Sequence, residues 1–96
     1  MKPSIAYQKH RTAIRRIVEQ HRAKNPRVFG SVVHGRDTED SDLDILVDIT
    51  DETSLLGLGA IRTELTELLG VEVDVRTPGA LPDRWRSRVI REALAI

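Results

Sequence analysis

Residues Val28–Ile49 read VFGSVVHGRDTEDSDLDILVDI, and the reading of this stretch decides the fold. Gly30-Ser31 breaks a short apolar run; ten residues later Asp42-Leu43-Asp44 opens a second one. Side chains alternate between faces along an extended chain. From Asp42 to Ile49, Leu43, Ile45 and Val47 fall on one face, and Asp42, Asp44, Leu46 and Asp48 on the other. Two carboxylates therefore point the same way beside a Gly-Ser turn. That pairing is expected of a phosphate site next to a metal site.

Working outward, the spacing predicts a helix from Pro3 to about Ala23. Ala6, Ala13, Ile14, Ile17 and Val18 recur there at three- and four-residue intervals, and Asn25-Pro26 stops the helix. Arg27–Phe29 is a short strand, Ser31 is placed to cap a short helix through Val33, and Gly35–Ser41 is a polar loop. After the Asp42–Ile49 strand, a helix from about Thr53 to Leu69 carries Leu55, Leu58, Ile61, Leu65, Leu68 and Leu69, and Gly70 ends it. Val71–Arg76 alternates as a strand and leads into the turn Thr77-Pro78-Gly79. A last helix is expected from about Asp83 to Leu94, with Val89, Ile90, Ala93 and Leu94 inward.

The order is α-β-α-β-α-β-α. The strand of Asp44, a helix and the strand of Asp74 form a βαβ unit, so those two strands are expected to be parallel neighbours. Asp44 and Asp74 would then face each other across one strand spacing, about 4.8 Å. Three carboxylates on neighbouring strands, Asp42, Asp44 and Asp74, can hold two divalent cations.

Composition frames this site. The chain has 96 residues and 40% hydrophobic content, which fits one small domain spanning residues 1–96. Without cysteine it has no disulfide, thiolate metal site or thiol nucleophile. No apolar stretch reaches the roughly 18 residues that span a bilayer, and no signal-peptide pattern opens the chain, so a cytoplasmic location is the expectation. Net charge is zero, but the charges are segregated. Met1–Arg36 holds nine Lys/Arg against Glu19, while Asp37–Ile61 holds eight acids and no Lys or Arg. The acidic block would attract Mg²⁺ and the basic segment phosphate or an acidic partner; alternatively, a solvated basic helix lies beside an acidic loop. Overall neutrality disfavours nucleic acid as the main ligand.

These residue types match nucleotidyl transfer from a nucleoside triphosphate. The substrate is highly anionic, so positioning and charge neutralisation dominate. Gly30 lets backbone approach the triphosphate, and Ser31 offers a hydroxyl and a helix N-terminus to its β- and γ-phosphates. Asp42 and Asp44 supply aligned oxygen ligands for Mg²⁺. Asp74 would bind a second metal and accept the proton of the attacking hydroxyl, or lower its pKa through that metal. Arg36 is a candidate phosphate contact. Asp37, Glu39 and Asp40 read as solvated loop charges, and Asp48 as exposed at its strand end. His34 is a candidate contact to nucleotide or partner, or a surface histidine. His10 and His21 read as helix-surface residues, and Trp85 as a half-buried packing or interface residue.

The arrangement resembles the minimal nucleotidyltransferases (MNT) of the DNA polymerase β superfamily. It does so through Gly30-Ser31, Asp42-Leu43-Asp44, Val73-Asp74-Val75 leading into Thr77-Pro78-Gly79-Ala80-Leu81, and the closing Ile90-Arg91-Glu92-Ala93-Leu94. His34 stands where many relatives have arginine or another polar residue. The resemblance implies an α/β (α+β) fold, a small mixed sheet flanked by helices, with Mg²⁺ and ATP. It further implies the antitoxin half of a HEPN–MNT pair, a type VII-like toxin–antitoxin system. There the antitoxin transfers AMP to a tyrosine of a HEPN-domain ribonuclease toxin. At this length a separate protein is expected to present the acceptor. Two other readings stay open: an antitoxin that inhibits the ribonuclease by binding alone, and a nucleotidyltransferase for a small-molecule acceptor.

Overall fold

A computed structural model describes all residues, Met1–Ile96. Helices α1 (Pro3–Lys9) and α2 (Arg11–Gln20) precede strand β1 (Lys24–Phe29) and a 3-10 turn, Gly30–Val32. Strand β2 (Leu43–Asp48), helix α3 (Leu55–Leu69) and strand β3 (Val73–Arg76) follow. A second 3-10 turn (Pro78–Ala80), helix α4 (Asp83–Glu92) and strand β4 (Leu94–Ala95) close the chain. The sheet order is β3-β2-β1-β4. Its β2–β3 pair is parallel and the other two pairs antiparallel, as expected of a small mixed sheet.

The alternation in β2 decides what lies on each side. Leu43, Ile45 and Val47 are fully buried on one face, against Ile14 and Val18 of α2 and Ile61 and Leu65 of α3. Each such side chain contributes about 1.5–3 kcal/mol. Ser54 starts α3 by accepting a hydrogen bond from the Gly57 N–H at 2.9 Å, and left-handed Gly70 (φ 70°) ends it. This places the helix start at Leu55, not Thr53, whose hydroxyl instead donates to the Arg22 carbonyl. The crossover returns the chain parallel to β2, with Asp44 paired to Asp74 in the register.

Further expectations need correction. The N-terminal helix breaks at His10, whose ψ of 26° is not helical. A one-residue break keeps Ala6, Ile14 and Val18 on the core side, so periodicity does not reveal it. Ser31 caps no helix; it lies inside the 3-10 turn, whose cap position is Phe29. Helix α4 stops at Glu92, leaving Ile90 and Leu94 exposed, because Leu94–Ala95 pairs with β1 instead. Arg11 and Arg15 hold that end by donating to the carbonyls of Ala95 and Ile96, at 3.2 and 2.7 Å. Asp37 is buried, not solvated: its carboxylate accepts the Ser4 N–H at 2.9 Å and so caps α1.

Candidate active site

The face of the sheet opposite the core carries the carboxylates. Directly paired residues share a face. The register sets Asp74, Asp44 and Phe29 side by side across β3, β2 and β1. Asp42 lies one residue ahead of β2, exposed at the mouth of this row. Gly30 follows Phe29 with φ 76°, a left-handed conformation that favours glycine. A Cβ at residue 30 would lie 2.3 Å from Asp44 Oδ2. The Gly-Ser turn and the Asp-x-Asp pair, separate in sequence, are therefore in contact in the fold.

The electrostatics single out Asp44. Burial, then the charges of Asp74 and Asp42, push its carboxyl up to about 6, against a smaller lowering by Arg76. Asp37 behaves in the opposite way. Burial raises it, but the Ser4 hydrogen bonds and the Lys2 charge outweigh burial and hold it below its ordinary value. Asp48, read as exposed, is half-buried and receives hydrogen bonds from Asn25 and Arg27, which hold it low as well. It ties the end of β2 to β1 and does not join the row.

Asp74 is engaged by its own strand: Arg76 Nε donates to Asp74 Oδ2 at 2.9 Å. No three carboxylate or imidazole groups in the chain converge tightly enough to grip one ion. The donor set nevertheless fits a hard divalent cation. Asp42, Asp44 and Asp74 are oxygen donors, two of them abreast, and their mutual repulsion raises Asp44. The Gly30 cradle leaves the Asp44 carboxylate the space a side chain would fill. To join such a set, Asp74 would have to release Arg76.

Ser31 is half-buried in the turn, and its carbonyl accepts the Arg36 N–H at 2.9 Å. That bond closes the loop after the turn, while the Arg36 side chain is exposed without an ion partner. Sequence reading did not foresee two neighbouring clefts. One, of about 270 Å³, lies beside Gly30 between Phe29, His34, Trp85, Arg88, Val89 and Glu92. His34 meets Glu92 there at 3.4 Å, and Trp85 is half exposed. The other, of about 350 Å³, adjoins Asp74 and is walled by Leu55, Leu58, Val75 and Ala80.

The description "Nucleotidyltransferase domain" belongs to a family model that matches residues 8–96. The chain belongs to this nucleotidyltransferase family. A Methanocaldococcus jannaschii protein named "Putative protein adenylyltransferase MJ0435" is 38% identical over 80 residues, covering 83% of this chain and 86% of that protein. A solved structure described as "Structure of putative minimal nucleotidyltransferase" is also 38% identical, with a TM-score of 0.86. It covers 97% of this chain and 95% of its own. A second, "Crystal structure of the toxin-antitoxin with AMP-PNP", has a TM-score of 0.72 at 19% identity, covering 88% of this chain and 69% of that one. At that identity the likeness is one of fold. The mixed sheet with four helices is thus the minimal nucleotidyltransferase fold, and the chain is an enzyme of this class. The family implies a nucleotide substrate and a divalent metal. No helix is long and apolar enough to cross a membrane.

Proposed function

We propose that this chain transfers AMP from ATP to a tyrosine hydroxyl of a HEPN-domain toxin and so silences it as an antitoxin. The observation that carries the reading is the row of Asp44 and Asp74 abreast, with Gly30 against Asp44. The adenylyltransferase name of the Methanocaldococcus relative and the fold shared with a toxin–antitoxin chain support it.

In this reading Asp42, Asp44 and Asp74 are the residues that would hold Mg²⁺, which would supply neutralisation of phosphate charge and a more acidic acceptor hydroxyl. Gly30 and Ser31 take the terminal phosphates through backbone N–H groups and a hydroxyl, and Arg36 adds a cation. Asp74 faces the acceptor and takes its proton. A bond forms between the acceptor oxygen and the α-phosphorus; the bond from that phosphorus to the β-phosphate oxygen breaks, and pyrophosphate leaves.

One observation favours a second reading. The Asp74–Arg76 ion pair closes the triad without metal, as inhibition by binding alone would allow. Intact mass spectrometry of the HEPN-domain protein after incubation with Mg²⁺ and ATP separates the two. The account expects AMP units on the acceptor, absent with Asp42→Ala. Inhibition with no mass change would establish the binding-only antitoxin.

A further inference from the structure

Leu55 and Leu56 open α3 and are 87% and 88% exposed, more than any other large apolar side chain in the chain. They turn to solvent in the first helical turn, where the stripe of Ile61, Leu65 and Leu69 faces the core. Small residues Gly59 and Ala60 follow one turn later, so the surface beside the leucines is an open groove of about 560 Å³. Leu55 belongs to two depressions at once: this groove and the cleft that reaches Asp74. A body seated on the leucines is therefore continuous with the acceptor-side carboxylate. Strand β3 is the outer strand of the sheet, so no further strand separates it from that body.

Charge narrows the occupant. From Asp51 to Glu67 there are four acids, Asp51, Glu52, Glu64 and Glu67, against the single base Arg62. Asp51 has no ion partner, Glu52 is held by Arg22 at 3.9 Å, and Glu64, which lines the groove with Arg62, is paired with His21. A second copy seated symmetrically would oppose acid to acid. A basic protein with an apolar anchor meets no such penalty.

We infer that the Leu55–Leu56 shelf is the docking surface for the acceptor protein, a basic surface with an apolar centre that delivers its hydroxyl through the adjoining cleft to Asp74. The inference rests on the protein-acceptor reading above. It adds where that protein stands, and it makes Leu55 and Leu56 the anchors of the contact.

The test is the double variant Leu55→Glu/Leu56→Glu, with Ile5→Glu, an exposed α1 position, as the control. Glutamate suits the first turn of a helix and both positions are exposed, so α3 is kept. Binding to the purified cognate HEPN-domain protein is measured by calorimetry, beside ATP affinity, circular dichroism and the mass of each protein in solution. The expected result is about 30-fold weaker partner binding in the double variant, with ATP binding and helix content unchanged and Ile5→Glu like the parent. Unchanged partner binding in the double variant would overturn the inference, as would no complex with the parent chain. A parent dimer that becomes monomeric in the double variant, with partner binding intact, would overturn it in favour of a second copy. AMP transfer is read separately: a parent that binds without transferring refutes the adenylylation reading, while the binding comparison still decides the shelf.

Discussion

Asp37 and Asp44 lie seven residues apart in one acidic run, yet their two corners of the molecule treat a carboxylate in opposite ways. At the α1 corner, Asp37 is buried and satisfied: it caps a helix, and its partners hold its proton affinity low. On the sheet face, Asp44 is half-buried beside two other carboxylates and is raised to about 6. The first corner stabilises the fold. The second is destabilised by its own charges, which a bound cation would offset. A carboxylate held against its own preference marks a site for chemistry, and a satisfied one marks structure.

The sharpest break of this contrast is Asp44→Asn. Nucleotidyl transfer should fall about 10³-fold while the metal-free protein melts at a higher temperature, because one repelling charge is gone. Steady-state transfer and a melting curve on the same sample read both. A melting temperature that falls instead would place Asp44 with the structural carboxylates. Next is Gly30→Ala. Its Cβ would meet Asp44 Oδ2 at 2.3 Å in a left-handed backbone, so displacing the carboxylate should cost about 10²-fold in rate. Normal kinetics in that variant would show the cradle to be irrelevant.

Acidity comes third. A cation at Asp44 must displace a proton below about pH 6, so Mn²⁺ affinity should drop about tenfold per pH unit below that point and level off above it. The stability signs also differ. The folded value of Asp44 is raised, so the metal-free fold loses stability as pH rises from the ordinary 3.8 to about 6. The folded value of Asp37 is lowered, so its contribution is present above 3.8 and lost as pH falls below it. Removing the competing cation with Arg76→Ala should tighten Mn²⁺ binding about fivefold, the scale of an exposed ion pair. Weaker binding in a titration would mean that Arg76 helps hold the site together. Smallest is Asp37→Ala, which should cost about 1 kcal/mol in chemical denaturation with transfer unchanged.

What was legible in the sequence was whatever repeats locally. Alternation in Leu43–Asp48 put Asp42 and Asp44 on one face, and the helix between two apolar runs made β2 and β3 parallel, which set Asp44 against Asp74. The Gly30-Ser31 turn was visible as a break, but its contact with Asp44 depends on the antiparallel β1–β2 register. Asp37 looked like a loop charge because its partner, Ser4, is 33 residues away. Strand β4 is hidden inside a helical period; its two residues are fixed by β1 and Arg11, and Ile96 beyond them by Arg15, not by their own propensity. Leu46 sat on the carboxylate face by parity, yet it is fully buried; Leu81 is buried as well, and the Pro78–Ala80 turn before it contacts β2. Arg76 passed unnoticed because only the geometry of β3 turns it onto Asp74.

In the proposed function, this carboxylate row moves a nucleotidyl group onto a protein. The most direct measurement gives the chain and the proposed HEPN-domain acceptor ATP labelled at either the α- or the γ-phosphate, with Asp44→Asn alongside. The account predicts that α-label stays on the partner, γ-label leaves with pyrophosphate, and neither is transferred by the variant. Label from the γ-phosphate on the partner, or equal α-labelling by Asp44→Asn, would contradict it.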